Sequence, residues 1–540
     1  MKTGLLTAAS VLAAAVLVTH LPLLGAGYVQ DDHLAVEGNA VVEAGSAAAI
    51  LGASYWEGAR GGDRTLYRPF TVASFALENA AVGGQHPAVS HAINLILHTM
   101  VSWLVFAIAV RCGVLPVPAL LAALLFAVAP SKSEAVANVV GRSELLSALF
   151  TLAAVRWALT AGSRSAAWAA AACVLLACGS KETGLVALPL VAAAALDGRR
   201  AQDALGAIAP SVLAFTIFVI LRTRALEAFF PPQPVPTIDN PLVLEHGVRY
   251  VATAFGLIAR YARIVIFPFG LANDYSGASI PIEASFLAWR PILGIAIFCS
   301  LAVAATRGRV AALFVAITLL PYLLVSNLLV PVGAIFAERF LYLPVAGLCL
   351  LASLAIARFS ARARAPAIAA VVVCGVAMFA RSLDWKDDAT IFAATARNNP
   401  LSPRAPYWLG KDDDAIANWP AFAGPWHEKG VVLARKGDLP GAERAMRESV
   451  RLEPTRAEAR LDLGIVLHRR GELGAAEREV RKAALLDPDD PRAFAELGHL
   501  RYESGRLSEA AEAYRRAVEL GRTDLLPRLN EIRGHSPFLQ

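Results

Sequence analysis

Asp31-Asp32-His33 stands directly behind an apolar run, residues 4–27, and opens a long polar loop. Charged side chains where an apolar segment meets water are costly unless water or a partner supports them, so such residues read as functional by default. A pair of carboxylates at that place suits proton removal from a hydroxyl group. The bland reading is the polar flank of a signal peptide or anchor. Further along, charged groups recur at connections between apolar runs: Tyr67-Arg68-Pro69 in the same loop, then Lys132, Glu134, Arg142 and Glu144, then Ser180-Lys181-Glu182, Asp274-Tyr275-Ser276 and Glu338-Arg339. If a bundle brings these turns to one end, their cations fit a phosphate and their carboxylates fit proton transfer. The alternative is that each acid and base forms a local ion pair closing a helix end.

The elements that must carry these turns are set by composition. Of the 94 charged residues, 51 follow Leu383, so the first part of the chain is a membrane domain and the tail is water-soluble in character. The apolar runs are 4–27, 91–110, 118–129, 145–161, 166–178, 184–196, 204–221, 287–306, 310–330, 340–357 and 367–380. A straight helical span needs about 20 residues, and small flanking residues can lengthen the shorter runs, giving about eleven crossings. Residues 248–267 carry Arg249, Arg260 and Arg263 and read as an interfacial or re-entrant helix. Lys2, Arg111, Arg164, Arg199, Arg200, Arg307, Arg309, Arg358, Arg362 and Arg364 mark connections nearly free of acids, the cytoplasmic signature. With eleven crossings the N-terminus is inside and the tail outside. Lys2, the alanine-rich core and Gly25-Ala26-Gly27 also resemble a signal peptide, but the run is long for one, and an uncleaved first span is preferred.

The tail repeats with a period of 34: Gly430, Gly464 and Gly498, with Ala442, Ala476 and Ala510, and Pro454 and Pro488 at the same offset. This is the tetratricopeptide pattern, with small residues where paired helices touch and proline after the second helix. Phe392, Pro400 and Trp408-Leu409-Gly410 fit a degenerate repeat, 411–420 breaks the phase, and 521–540 would cap the stack. The net charge of +6 is no nucleic-acid footprint, because its excess lies in the inner-face arginines and the tail's charges alternate at helical spacing. Six cysteines show neither metal spacing nor a disulfide framework, and His86, His91 and His98 fit no zinc site. Tyr55, Trp56 and Tyr67 stack on a sugar or form an interfacial belt.

The runs YVQDDHLAVEGN, YRPFTVASFALE, SHAINLILHTMVSWLVF, EAVANVVGRSELLSALF, SKETGL and AERFLYLP, followed by the repeats, together resemble the transmembrane and tetratricopeptide-repeat protein O-mannosyltransferase family over nearly the whole chain. The resemblance implies an all-α architecture: a polytopic membrane bundle of the GT-C kind over 1–383, a linker with a degenerate repeat over 384–422, and about three tetratricopeptide repeats with a cap over 423–540. It also implies transfer of a sugar from a polyprenyl-phosphate donor on the non-cytoplasmic side. The family's paired acids match Asp31 and Asp32, and its motif near the last spans matches Glu338, Arg339 and Tyr342. Where members often carry histidines before the acid matching Glu134, this chain has Ser131-Lys132-Ser133, which argues against a metal or a histidine acid at that turn.

A lipid phosphate is already a good leaving group, so such an enzyme must mainly position the donor, stabilise phosphate charge and activate the acceptor hydroxyl. Arg339, then Arg142 and Lys181, are the expected phosphate ligands, since arginine offers a charged planar fork. Asp31 or Asp32 would be the base, with His33, Arg68, Glu134, Glu182, Glu338 and Tyr342 supporting the site. Displacement opposite the phosphate would invert the anomeric centre. No residues are assigned to a metal, the metal requirement is left open, and no tightly bound cofactor is expected; the donor lipid, the bilayer and an acceptor polypeptide held by the repeats are the partners. Mannose rests on the resemblance alone. Two other readings stay open: a non-catalytic envelope scaffold, or a transferase acting on glycan or lipid. The alanine and arginine content suggests a GC-rich bacterial genome, hence an inner-membrane protein facing the periplasm or cell exterior.

Overall fold

The structure is a computed structural model describing residues 2–57, 59, 65–160, 163–196, 201–231 and 235–535. All regular secondary structure among the described residues is helical. The chain forms two compact units, Met1–Pro400 and Leu401–Gln540.

In the first unit the described part of each of the eleven apolar runs is mainly helical, although residues 326–330 lie past the end of their helix. The principal helices are α1 (Lys2–His20), α2 (Pro69–Val82), α3 (Pro87–Arg111), α4 (Pro116–Val128), α5 (Arg142–Ala158), α6 (Arg164–Cys178), α7 (Ala187–Ala195), α8 (Ala201–Leu226), α9 (Gly247–Ile266), α10 (Trp289–Ala305), α11 (Arg309–Val325), α12 (Tyr342–Ile356), α13 (Ala365–Asp384) and α14 (Asp388–Asn398). Proline opens α2, α3 and α4, where its missing N–H costs nothing and its fixed φ suits the first turn. α3 is the core helix, packed by α1, α4, α5 and α12.

The expected eleven crossings do not follow from helix length. Leu6–Gly25, Pro87–Arg111, Asp203–Leu226, Glu338–Ile356 and Arg362–Asp384 are long and apolar enough to span a bilayer. A sixth such element is Pro116–Val128 joined to Pro130–Ala137 across a 57° bend. α6 has 15 residues and α7 only 9, so at 1.5 Å per residue they reach about 22 and 14 Å against a hydrocarbon core of about 30 Å. α9 is not among the helices apolar enough to cross: it buries Ala252, Leu257 and Tyr261 on one side and leaves Arg249 and Arg263 exposed on the other. α2 is an element that apolar-run counting passes over, because Glu78 and Asn79 interrupt its short sequence.

The second unit stacks helix pairs: Ala423–Arg435 with Leu439–Leu452, Ala457–Arg469 with Leu473–Leu486, and Pro491–Glu503 with Leu507–Glu519. The 34-residue glycines lie where the two helices of a pair touch. A Cβ on Gly464 would lie 2.3 Å from a Val480 methyl, and one on Gly498 would lie 2.4 Å from the Tyr514 ring. Ala442, Ala476 and Ala510 are fully buried at the same contacts. Residues 411–420, which break the sequence phase, contain the helix Asp412–Asn418. Leu526–His535 packs on Leu507–Glu519 at the end of the stack; of the cap expected over 521–540, residues 536–540 lie outside the described ones.

Candidate active site

The loop after α1 is fixed by its second aspartate. Asp32 is fully buried and its carboxylate accepts three backbone N–H groups, from Val29 at 3.1 Å, Val139 at 3.2 Å and Val140 at 2.8 Å. Val139 and Val140 belong to the turn that feeds α5, so Asp32 fastens the loop to the Glu134–Arg142 segment. Burial pushes its acid up to about 7, against the pull of the N–H donors and with a further push from the Asp31 charge. Asp31 is exposed, and its carboxylate has no hydrogen-bond partner among the described residues. Its charge acts on Tyr55 and on Arg339. The sequence leaves the two acids equivalent; the structure gives one to the backbone and one to the solvent.

Three cations arrive from separate turns within electrostatic reach of one another, each leaning on a carboxylate, and Arg339 among them also feels the Asp31 charge. Arg68 donates through Nε and Nη2 to Glu182, at 3.1 and 2.7 Å, and lies over the Tyr55 ring. Burial lowers its basicity, but Glu182 more than offsets that and holds it above the ordinary arginine range. Lys181 donates to Glu144 at 2.5 Å; burial depresses the ammonium, with Glu144 opposing and the Arg68 and Arg339 charges adding to the fall. Arg339 is bound by Glu134 twice, through its backbone N–H at 2.9 Å and through Nη1. Its side chain stays 40% exposed while that of Glu134 is 5% exposed, so part of the guanidinium fork faces outward. The bend after α4 places Glu134 there: Pro130, lacking an N–H, breaks the helix and turns the next segment toward the Arg339 turn.

Other expected site residues sit behind this layer. Arg142, expected to bind donor phosphate, is completely enclosed: it pairs with Glu78 at 2.6 Å, donates to Asn94 at 3.0 Å and to the Ser90 carbonyl at 3.2 Å, and lies against Phe75. With its nitrogens spent inside the bundle, it braces α2, α3 and α5. Glu338 is likewise enclosed, accepting from the Ala272 N–H at 2.9 Å and the Tyr275 hydroxyl at 2.8 Å. Tyr342 is buried, its hydroxyl 2.8 Å from His98 Nδ1 and its ring edge-on to Phe126. His33 is exposed and bridges Glu37 at 2.6 Å and Asp388 at 3.1 Å; partial burial lowers its basicity, but these two carboxylates raise it above the ordinary value.

Sequence reasoning missed Glu78, Asn94 and Asp388, whose contacts with Arg142 and Gln30 span 48 to 358 residues. Glu78 carried one usable signal, an acid inside an otherwise apolar stretch.

An apolar cavity of about 460 Å³ opens among α4, α9, α10, α11, α12 and α13, with Leu125, Ile258, Phe298, Leu319 and Leu348 in its wall. Tyr261 and Leu341 also line it, and the Tyr261 hydroxyl accepts the Ala337 N–H at 3.3 Å, two residues before Arg339. The cavity therefore ends beside the Arg339–Glu134 pair. Among the described residues no three His, Cys, Asp or Glu side chains gather as a metal-binding group.

Comparison with known proteins follows the same division. The tetratricopeptide repeat family profile matches residues 433–500, and a second tetratricopeptide profile matches 491–523. Protein O-mannosyl-transferase TMTC4 of Homo sapiens is 27% identical over 408 residues, covering 64% of this chain and 55% of the relative. Protein O-mannosyl-transferase Tmtc1 of Drosophila melanogaster is 27% identical over 563 residues, covering 83% of this chain and 61% of the relative. The chain spans little more than half the length of these relatives. Among solved structures, TTC0263, a thermophilic tetratricopeptide protein of Thermus thermophilus, is 26% identical over 30% of this chain and 94% of that one, with a TM-score of 0.22. The chain thus carries tetratricopeptide repeats behind a bundle of apolar helices and is a relative, at 27% identity, of the transmembrane and tetratricopeptide-repeat protein O-mannosyl-transferases.

Proposed function

We propose that this chain is an integral-membrane glycosyltransferase that moves a sugar, mannose by analogy with the names of its relatives, from a polyprenyl-phosphate donor to serine or threonine hydroxyls of protein. The observation that carries the reading is the placement of an exposed, unpartnered carboxylate, Asp31, in the electrostatic reach of Arg339, whose turn joins those of Lys181 and Arg68. Asp31 takes the proton of the acceptor hydroxyl as its oxygen attacks the anomeric carbon. The bond from that carbon to the phosphate oxygen breaks on the opposite face, so the centre inverts and the lipid phosphate leaves with the bonding electrons. The outward part of the Arg339 fork, with Lys181 and Arg68 behind it, stabilises the phosphate charge. The apolar cavity that ends at Tyr261 suits the first isoprene units of the donor. Asp32 acts through Asp31 by fixing the loop, and Arg142 by bracing the helices beneath it. The site faces the non-cytoplasmic side of a bacterial inner membrane, and the repeats gather the acceptor peptide.

The test is transfer in nanodiscs supplied with polyprenyl-phosphate mannose and a serine- and threonine-rich peptide, read as a hexose increment in peptide mass. General-base help is typically worth about 100- to 10,000-fold, so Asp31→Asn should lose turnover by that factor with an unchanged unfolding midpoint. No increment from the wild-type protein returns the chain to the scaffold reading. Equal turnover in Asp31→Asn removes the base.

A further inference from the structure

Among the described residues no hydrogen bond joins the acid-bearing loop directly to the Arg339 turn, yet both are tied to one short helix. At its first position α14 carries Asp388, whose Oδ1 accepts the N–H of Gln30 at 2.9 Å and whose Oδ2 lies 3.1 Å from His33 Nε2. These bonds bracket Asp31. Gln30 has φ of 53°, a left-handed conformation that a side-chain-bearing residue keeps only where its surroundings hold it, and Asp388 holds its N–H. Asp388 is not needed to cap the helix, because Asp387 does that with Thr390 in a reciprocal capping box.

The far end of α14 grips another segment. Thr395 accepts the Asn273 N–H at 3.2 Å, Asn398 donates to the Leu271 carbonyl at 2.7 Å, and Asn399, just past the helix, donates to the Asp274 carbonyl at 2.8 Å. Those residues flank Ala272 and Tyr275, the two donors to Glu338, the neighbour of Arg339. A relay of hydrogen bonds therefore runs from the Gln30 backbone and the His33 ring on either side of Asp31, along α14, to the 271–275 segment and through it to the Glu338 carboxylate beside Arg339. Asp32 ties the same loop to the Glu134 segment from beneath, so removing Asp388 frees one side of the loop while leaving it attached.

We infer that α14 is a clasp that sets the distance between Asp31 and Arg339, and that Asp388 is a positioning residue for Asp31. The inference rests on the transferase reading for its effect on rate, but the clasp itself has a readout of its own. Asp388→Ala should lower kcat about 10- to 100-fold, the scale on which small misplacements of reacting groups act, with KM for donor and acceptor changed less than twofold. Asp388→Asn should recover most of the rate, because its amide oxygen still accepts the Gln30 N–H and its NH2 can donate to neutral His33. Amide hydrogen exchange over 30–37, followed by mass spectrometry on the full chain in nanodiscs, should quicken in Asp388→Ala and stay near wild type in Asp388→Asn. Wild-type protein without transfer would sink the transferase reading and leave exchange to judge the clasp. Unchanged exchange in Asp388→Ala, or wild-type kcat in that variant when the wild-type protein does transfer, overturns the inference.

Discussion

The two units of this protein use charge differently. In the repeat unit, beside longer-range pairs such as Arg460 with Glu479 and Arg506 with Glu477, many charges sit on exposed helix faces and meet partners one turn away, as in Arg447 with Glu443, Arg451 with Glu448 and Arg481 with Glu477. Such pairs are worth roughly 0.3–0.5 kcal/mol each, and water takes over readily when one is lost. In the first unit the pairs Arg142–Glu78, Lys181–Glu144 and Arg339–Glu134 join different turns, with at least one partner nearly enclosed. A charge there persists only because a distant residue meets it, so its partner reveals its role. Arg142 is closed on every side and is structural. Arg339 is half met and half open, and Asp31 is open altogether.

Breaking the deepest pair should show the largest effect. Arg142→Met leaves the Glu78 carboxylate buried and uncompensated, and the unfolding free energy should fall by about 3–5 kcal/mol, measured by thermal or denaturant unfolding in detergent. Adding Glu78→Leu removes the stranded charge and should restore most of the stability. Transfer activity should return with it, because Arg142 has no open edge toward the site. A folded double variant without activity would instead put Arg142 back among the phosphate ligands.

The two carboxylates of the loop sharpen the comparison within a single dipeptide. Asp32 titrates near 7 in the folded chain and near 3.8 when unfolded. Between those values the folded protein keeps a proton that the unfolded chain has released. Its contribution to stability therefore falls as pH rises, by at most about 1.4 kcal/mol per pH unit, and levels off above 7. Unfolding followed from pH 5 to 8 should show this slope in the wild-type protein and in Asp31→Asn. Asp32→Asn should lose the Asp32 share of the slope, leaving that of other groups such as His33, while starting less stable, since an amide NH2 would face one of the N–H groups that the carboxylate accepts.

How much of this was legible in the sequence depends on the distance over which each feature is written. The apolar runs fall mainly in helices because burial along a helix leaves an unbroken local signal. The repeat follows from Gly430, Gly464 and Gly498 because each contact recurs within one unit. The gathering of Asp31, Arg68, Lys181 and Arg339 was legible only as alternation of polar turns. Their carboxylate partners were not, since Arg339 and Glu134 lie 205 residues apart. Nothing local separates Asp31 from Asp32 either; the difference is made by N–H groups of Val139 and Val140 across the bundle. The expected eleven crossings are not confirmed by helix length for the opposite reason: apolar character is local, but helices as short as α7 show that an apolar run need not be a whole span.

The repeat unit offers the smallest of these effects and the cleanest geometry. Alanine favours a helix interior over glycine by about 1 kcal/mol, so Gly464→Ala would stabilise an isolated helix. Here the added methyl lands 2.3 Å from Val480 Cγ2 and 3.2 Å from the Ala476 carbonyl oxygen, and overpacking of this kind costs about 1–3 kcal/mol. The paired helix must move or Val480 must shift, so the net change should be a loss of about 1 kcal/mol, seen as earlier unfolding or faster proteolysis of the tail in the full chain. Val480→Ala removes the offending methyl and leaves a cavity when made alone. Combined with Gly464→Ala, that cavity receives the new methyl, so the double variant should be more stable than the sum of the two single losses predicts. Strict additivity would mean that the glycine is there for some reason other than the contact with Val480, and the close approach of paired helices would no longer account for the 34-residue period.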